Sequence, residues 1–321
     1  MSMEAMPRLE RIEEAAARIA PAFRDTPLVR SEPLDRELGC AVALKVETLT
    51  PIRSFKGRGA SYLVHRLGPA AAAGLVCASA GNFGQGLAYA ARARGIATTV
   101  FAATGASPVK VAAMRAFGAE VRLEGEDFET AKAAARAYAA SSGRWFVEDG
   151  LDAPIAEGAG TIAKELAAAD ALGEAVLVAL GNGSLVNGIG AWIKARQLAT
   201  RVIAVVAAGA PCMALSWRAG RPVETVATAT IADGVAVRVP VAAALDVMRA
   251  TVDEVLEVED AAIVRAMRLV FARVGLVVEP AGAVGLAALL ADPDRFRGQR
   301  VATILCGGNL TADQARAWLL E

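Results

Sequence analysis

Short β-branched or apolar runs recur along this chain at 42–46, 74–79, 98–103, 120–124, 145–147, 176–180, 202–207 and 301–306, and most of the sequence between them is alanine-rich with a helical period. No other feature restricts the fold as much. Short runs of this kind read as strands, and strands separated by helices pair in parallel with helices on the sheet's faces. The period predicts helices over 83–94, 108–117, 130–140, 158–169, 185–198, 261–274 and 282–290, with glycines closing most of them. The expected fold is α/β, with open, twisted, mostly parallel sheets flanked by helices. The stretch 207–240 breaks the alternation through Gly209, Pro211, Gly220, Pro222 and Gly234. An ordered excursion of that length is often functional.

A length of 321 residues favours two lobes, and 55% hydrophobic against 21% charged residues supplies material for a large core. Lysines and arginines number 34 and acids 34, so no basic face is available to neutralise a nucleic acid. No apolar run reaches the roughly 18–20 residues that span a bilayer, and the first twenty residues, with Glu4, Glu10, Glu13 and Glu14, read as a helix and not a secretory signal. Cys40, Cys77, Cys212 and Cys306 are too dispersed for a zinc knuckle or a disulfide framework, which fits a reducing cytoplasm. His65 is the only histidine. Most Ser-His-Asp hydrolases, histidine metal sites and histidine relays are thereby excluded, no metal site is expected, and acid–base chemistry falls to other groups.

Four segments follow expected strands, where open parallel sheets hold their ligands. Ser54-Phe55-Lys56-Gly57-Arg58-Gly59-Ala60 enters a helix; a lysine beside Phe55 and small residues can lose hydration and become an imine-forming amine, although an isolated lysine there is more often simply solvated. Ser79-Ala80-Gly81-Asn82-Phe83-Gly84-Gln85-Gly86 runs from strand to helix, either an anion site for a substrate carboxylate or an ordinary capped turn. Gly181-Asn182-Gly183-Ser184-Leu185 offers free amides at a helix start, which is phosphate-cradle chemistry. It matches neither G-x-G-x-x-G, because Val186 takes the third glycine's place, nor a Walker loop, and this argues against an NAD-dependent oxidoreductase. Cys306-Gly307-Gly308-Asn309 taken alone is a turn.

Taken in order, SFKGRGA at 54–60, SAGNFGQG at 79–86, GNGSL at 181–185, EPAGA at 279–283 and CGGN at 306–309 resemble the signature of fold-type II pyridoxal-phosphate enzymes. These have a two-domain architecture like that of the tryptophan synthase β subunit. Within that group the chain is most similar to the serine/threonine dehydratases, or ammonia-lyases, over roughly 20–310. The resemblance implies an imine between Lys56 and pyridoxal 5'-phosphate, Phe55 packed beside the cofactor, and the phosphate held by amides of Gly181, Asn182, Gly183, Ser184 and Leu185. It further implies that Asn82 bonds the ring hydroxyl and that Ser79, Gly81 and Asn82 surround the substrate carboxylate; Glu279, in EPAGA, reads as either a cation ligand or an ordered helix-start acid near the cofactor, the second being favoured. Lys56 and Ser79 are the residues assigned to catalysis.

Cys306 takes the position facing the pyridine nitrogen. A neutral thiol cannot hold that nitrogen protonated as a carboxylate would, and a weaker electron sink suits β-elimination over transamination. The implied reaction converts a β-hydroxy-α-amino acid such as threonine or serine to a 2-oxo acid and ammonia, with Lys56 as the base for the Cα proton. Departures from the pattern matter. Asn182 and Ser184 replace two glycines of the usual phosphate loop, Ala80 replaces the serine of related racemases, and Phe83 replaces a common histidine. The last change leaves room for a bulkier substrate such as 3-hydroxyaspartate or phenylserine. The segment Ala207-Ala208-Gly209-Ala210 lacks the carboxylates with which some relatives bind a divalent cation, and Asp233 reads as a turn residue.

The expected division places 1–44 and 151–321 in a large cofactor-binding domain and 45–150 in a small mobile one carrying Lys56 and Asn82. A homodimer is implied by the resemblance alone. The competing readings are a β-replacement enzyme of cysteine synthase type, in which a second nucleophile is added, and a noncatalytic binding protein on the same scaffold.

Overall fold

The computed structural model describes residues 6–321. Ten strands form two sheets: β1 (Leu28–Val29), β2 (Ala41–Val46), β3 (Leu75–Ala78), β4 (Thr98–Ala102), β5 (Glu120–Leu123), β6 (Trp145–Val147), β7 (Ala175–Ala179), β8 (Arg201–Ala207), β9 (Glu254–Val258) and β10 (Arg300–Leu305). The larger sheet has the order β1-β2-β10-β7-β8-β9 and the smaller one β5-β4-β3-β6. Every pairing is parallel except that of β1 with β2.

All eight expected strands are present to within a residue or so. The two others lie at the edges of the larger sheet. β1 is two residues long, and β9, Glu-Val-Leu-Glu-Val, is interrupted by two acids, so neither forms an apolar run. The excursion at 207–240 contains the helix Cys212–Ala219 and a short turn at Asp233–Val235. The first helix is Leu9–Arg18; the expected helical residues before Met6 lie outside those described.

β7 is buried along its whole length. The helix Pro280–Ala291, apolar all round, packs across β7, β8 and β10 on one face, as a fully buried helix must. The helices Ala153–Ala168 and Ser184–Ala195 pack on each other at Gly160 and Gly188, where a side chain would strike the opposing backbone.

The helix Lys56–Leu67 lies against both Asn82–Arg92 of the smaller sheet's layer and Ala153–Ala168. Its anchor is Arg58, a fully buried arginine. Its Nε and one terminal nitrogen donate to the two Glu47 oxygens at 2.9 and 2.8 Å, and its two terminal nitrogens donate to Glu165 at 2.6 and 2.9 Å. Lys45 also pairs with Glu165, at 2.6 Å. A bidentate guanidinium held between two carboxylates fixes where the helix begins, and Lys56 is its first residue. The C-terminal ends of β3, β6, β7 and β10 then converge on Lys56 with the loops that follow them, the usual ligand end of open parallel sheets.

Candidate active site

A cavity of about 350 Å³ opens at that convergence. Phe55, Lys56, Ser79, Gly81, Asn82, Gly181, Asn182, Gly183, Ser184, Leu185, Glu279 and Cys306 all line it. Residues up to 251 positions apart in sequence therefore meet in one pocket, as Phe55 and Cys306 do through a backbone hydrogen bond of 3.0 Å.

Lys56 Nζ is mostly shielded from water and lies 4.7 Å from the Phe55 ring centroid and 5.9 Å from that of Phe83. Its ammonium donates to Asp149 Oδ2 at 2.6 Å. The other Asp149 oxygen accepts from the Ser184 hydroxyl at 2.6 Å, and Ser184 Oγ accepts from the Gly150 amide at 3.0 Å. Asp149 thus ties the reactive amine to the glycine-containing loop. Sequence reasoning passed over it because an acid after a strand is common; its position just past the buried end of β6 was the available signal.

The loop 181–185 turns from β7 into the helix Ser184–Ala195. Gly183 has φ +95°, a conformation that other L-residues rarely adopt. The amides of Gly181, Asn182 and Gly183 have no acceptor among the described residues, and those opening the following helix are unpaired by its geometry. Gly150, with φ +94°, packs on the loop so closely that a side chain there would meet the Asn182 carbonyl at 2.5 Å.

Across the cavity, Asn82 is held at both ends of its amide. Nδ2 donates to Glu279 Oε1 at 2.7 Å, and Oδ1 accepts from Asn309 Nδ2 at 2.8 Å. Asn309 also donates its backbone amide to Glu279 Oε2 at 2.9 Å and its side-chain amide to the Ile52 carbonyl at 2.9 Å. One N–H of Asn82 is left for a ligand. Burial, with Asp233 nearby, pushes the Glu279 carboxyl up to about 7. Gly307 can only be glycine, because a side chain there would collide with the Glu279 carboxylate. Asn309 completes this network and was missed, since CGGN alone reads as a turn.

Cys306 Sγ is buried, with the Ala281 carbonyl 3.6 Å away. Burial raises its thiol far above the ordinary range, so it stays neutral. Ser79 Oγ accepts from the amides of Gly84 at 2.9 Å and Gly81 at 3.2 Å, which orders the start of the helix Asn82–Arg92 and leaves its O–H free to donate. Asp233, expected as a turn residue, does open the turn Asp233–Val235, and its carboxylate also pairs with Lys110 of the helix Pro108–Ala116. His65 sits partly exposed, 3.7 Å from Glu14 and away from the cavity.

These groups fit pyridoxal phosphate. A shielded primary amine suits its aldehyde, unpaired amides at a helix start suit its phosphate, and a neutral thiol suits an unprotonated ring nitrogen. The sequence pattern of the pyridoxal-phosphate dependent enzyme family matches residues 19–307, and the chain belongs to that family, with the fold-type II architecture and pyridoxal phosphate as its cofactor. Among individual relatives, it is 37% identical to an L-threonine ammonia-lyase of Geobacter sulfurreducens, over 93% of this chain and 75% of that one. It is 35% identical to a phenylserine dehydratase of Ralstonia pickettii, over 96% and 94%. A solved T.th. threonine deaminase superposes with a TM-score of 0.89 at 36% identity, covering 95% of this chain and 99% of that one.

Proposed function

We propose that the protein is an ammonia-lyase that eliminates water from a β-hydroxy-α-amino acid and releases a 2-oxo acid and ammonia. The observation that carries this reading is the meeting of Lys56, the loop 181–185 and the neutral Cys306 thiol in one cavity. Lys56 would hold pyridoxal phosphate through its amine, beside Phe55. Amides of Gly181, Asn182, Gly183, Ser184 and Leu185 would hold the phosphate, and the Cys306 thiol would serve the ring nitrogen. Asn82 would give its remaining N–H to the ring hydroxyl, and Glu279 and Asn309 keep that amide from turning.

The bound cofactor supplies an electron sink for the pair left when the Cα proton departs. Ser79, Gly81 and Asn82 take the substrate carboxylate at the start of a helix, where N–H groups and the helix dipole favour an anion. The Lys56 amine would serve as the base for the Cα proton, and Asp149, 2.6 Å from Nζ, would stabilise the ammonium so formed. Placing a neutral thiol at the ring nitrogen favours elimination over transamination.

Two cross-cleft ion pairs, Lys110 with Asp233 and Arg238 with Asp127, support a small lobe of residues 45–150 that closes over the substrate. The enzyme is a cytoplasmic homodimer in this reading; four buried free cysteines are consistent with a reducing compartment. Among the described residues, no helix is long and apolar enough to cross a membrane. The test is stoichiometric release of ammonia and 2-oxo acid from a hydroxy amino acid. Conversion of serine and sulfide mainly to cysteine would contradict the reading.

A further inference from the structure

We propose that the substrate is a β-hydroxy-α-amino acid whose β-substituent is uncharged and apolar, up to the size of an aryl ring, and that Phe83 and Phe128 select it. This rests on the lyase reading and narrows it.

Charge excludes one class. Six acids and four cations line the cavity. Each cation is already engaged: Lys56 with Asp149, Lys110 with Asp233, Lys132 with Glu129 and Glu148, and Arg238 with Asp127. A cofactor phosphate adds roughly two further negative charges, and the helix start at Gly81 and Asn82 is taken by the α-carboxylate. A second carboxylate on Cβ therefore enters a field of excess negative charge with no free cation among the described lining residues. Like charges brought together without a counterion are strongly disfavoured.

Apolar surface selects another. The Phe83 ring centroid lies 5.9 Å from Lys56 Nζ, the base at Cα, so a substituent one carbon further out falls within reach of that ring. Phe128, on the first turn of the helix Phe128–Ser142, is 39% exposed and faces the same cavity. Val235, Val237, Val239 and Val241 add apolar surface to the lining, beside Ala236 and the ion-paired Arg238 of the same segment. Threonine's methyl group covers little of this surface. An aryl ring covers much more and stacks edge-on against Phe83 or Phe128.

The test uses the cofactor-loaded enzyme with phenylserine, threonine and 3-hydroxyaspartate, following ammonia and 2-oxo acid. Binding of phenylalanine and aspartate, which have no β-hydroxyl to lose, is read separately from the cofactor's absorbance. The expected result is a kcat/KM for phenylserine about tenfold or more above threonine, the scale on which apolar pockets discriminate, with 3-hydroxyaspartate lowest. Phe128→Ala, at a partly exposed position that tolerates truncation, narrows the phenylserine-to-threonine ratio about tenfold, chiefly through KM. Threonine or 3-hydroxyaspartate used as efficiently as phenylserine, or an unchanged ratio in Phe128→Ala, overturns the proposal and leaves the lyase reading intact. If none of the three, nor serine, is turned over, the lyase reading fails. The comparison of analogues then decides this proposal alone: tighter phenylalanine supports it, tighter aspartate overturns it.

Discussion

Lys56 is engaged before any substrate arrives: its ammonium rests on Asp149, and Asp149 in turn holds Ser184 of the loop that would carry the phosphate. In the proposed role, replacing the amine would remove both the cofactor's anchor and the base. Lys56→Ala is expected to lose more than about a thousandfold in turnover, in line with the loss of a covalent catalytic group, while its far-ultraviolet circular dichroism stays that of the wild type. Away from the cavity, burial pushes Glu157 up to about 7 from an ordinary value of 4.5. A carboxyl whose folded-state value is raised keeps its proton while the unfolded chain has already released it, so it costs the fold stability as pH rises from about 4.5 to about 7. Glu157→Gln does not titrate, and its melting temperature relative to wild type should climb between pH 5 and pH 8. A difference that stays flat across that range would remove Glu157 from the account.

Element by element, the strands were legible wherever both faces are covered, because burial leaves a continuous apolar run, as in β7 and β10. β9 was illegible because this edge strand is buried only at Val255 and Val258 and carries Glu254 and Glu257, which break up any apolar run. The helix Lys56–Leu67 shows a further kind of hidden information. Its motif announced Lys56, but Arg58 two residues later gave no sign that it is fully buried among Glu47 and, from a segment more than a hundred residues on, Glu165 and Thr161. Removing one member of such a cluster strands the others. Arg58→Leu should destabilise the protein by about 3–5 kcal/mol in denaturant unfolding, and Arg58→Lys should recover little, because an ammonium cannot span two carboxylates in a bidentate fork. The phosphate loop depends on backbone shape, since Gly183 sits at φ +95°. Gly183→Ala is expected to cost about 1–3 kcal/mol of local strain, seen as weaker cofactor affinity in a fluorescence titration. Unchanged affinity would argue that the loop does not hold the phosphate.

At the scale of the whole molecule, the glycine- and lysine-bearing motifs announced the site because each follows a strand whose C-terminal end faces the same cleft. What the sequence could not convey is how the two sheets meet. Asp149 lies opposite Lys56, 93 positions away in sequence, Asn309 locks Asn82, and Lys110 reaches Asp233, all contacts fixed only by tertiary packing. The proposed closure of a small lobe can be tested near the ion pairs that span the cavity. Hydrogen exchange at the first turns of Asn82–Arg92 and Phe128–Ser142 should slow when a substrate analogue binds, while β7 and Pro280–Ala291 remain unchanged. Uniform slowing across both lobes, or none, would contradict a mobile small lobe.

The account stands on one covalent bond, and chemical trapping reaches it directly. The loaded enzyme is reduced with borohydride, digested, and its peptides are weighed by mass spectrometry. The phosphopyridoxyl mass is expected on the peptide containing Lys56 and on no other; finding it on a different lysine, or on none, would contradict the assignment of the site.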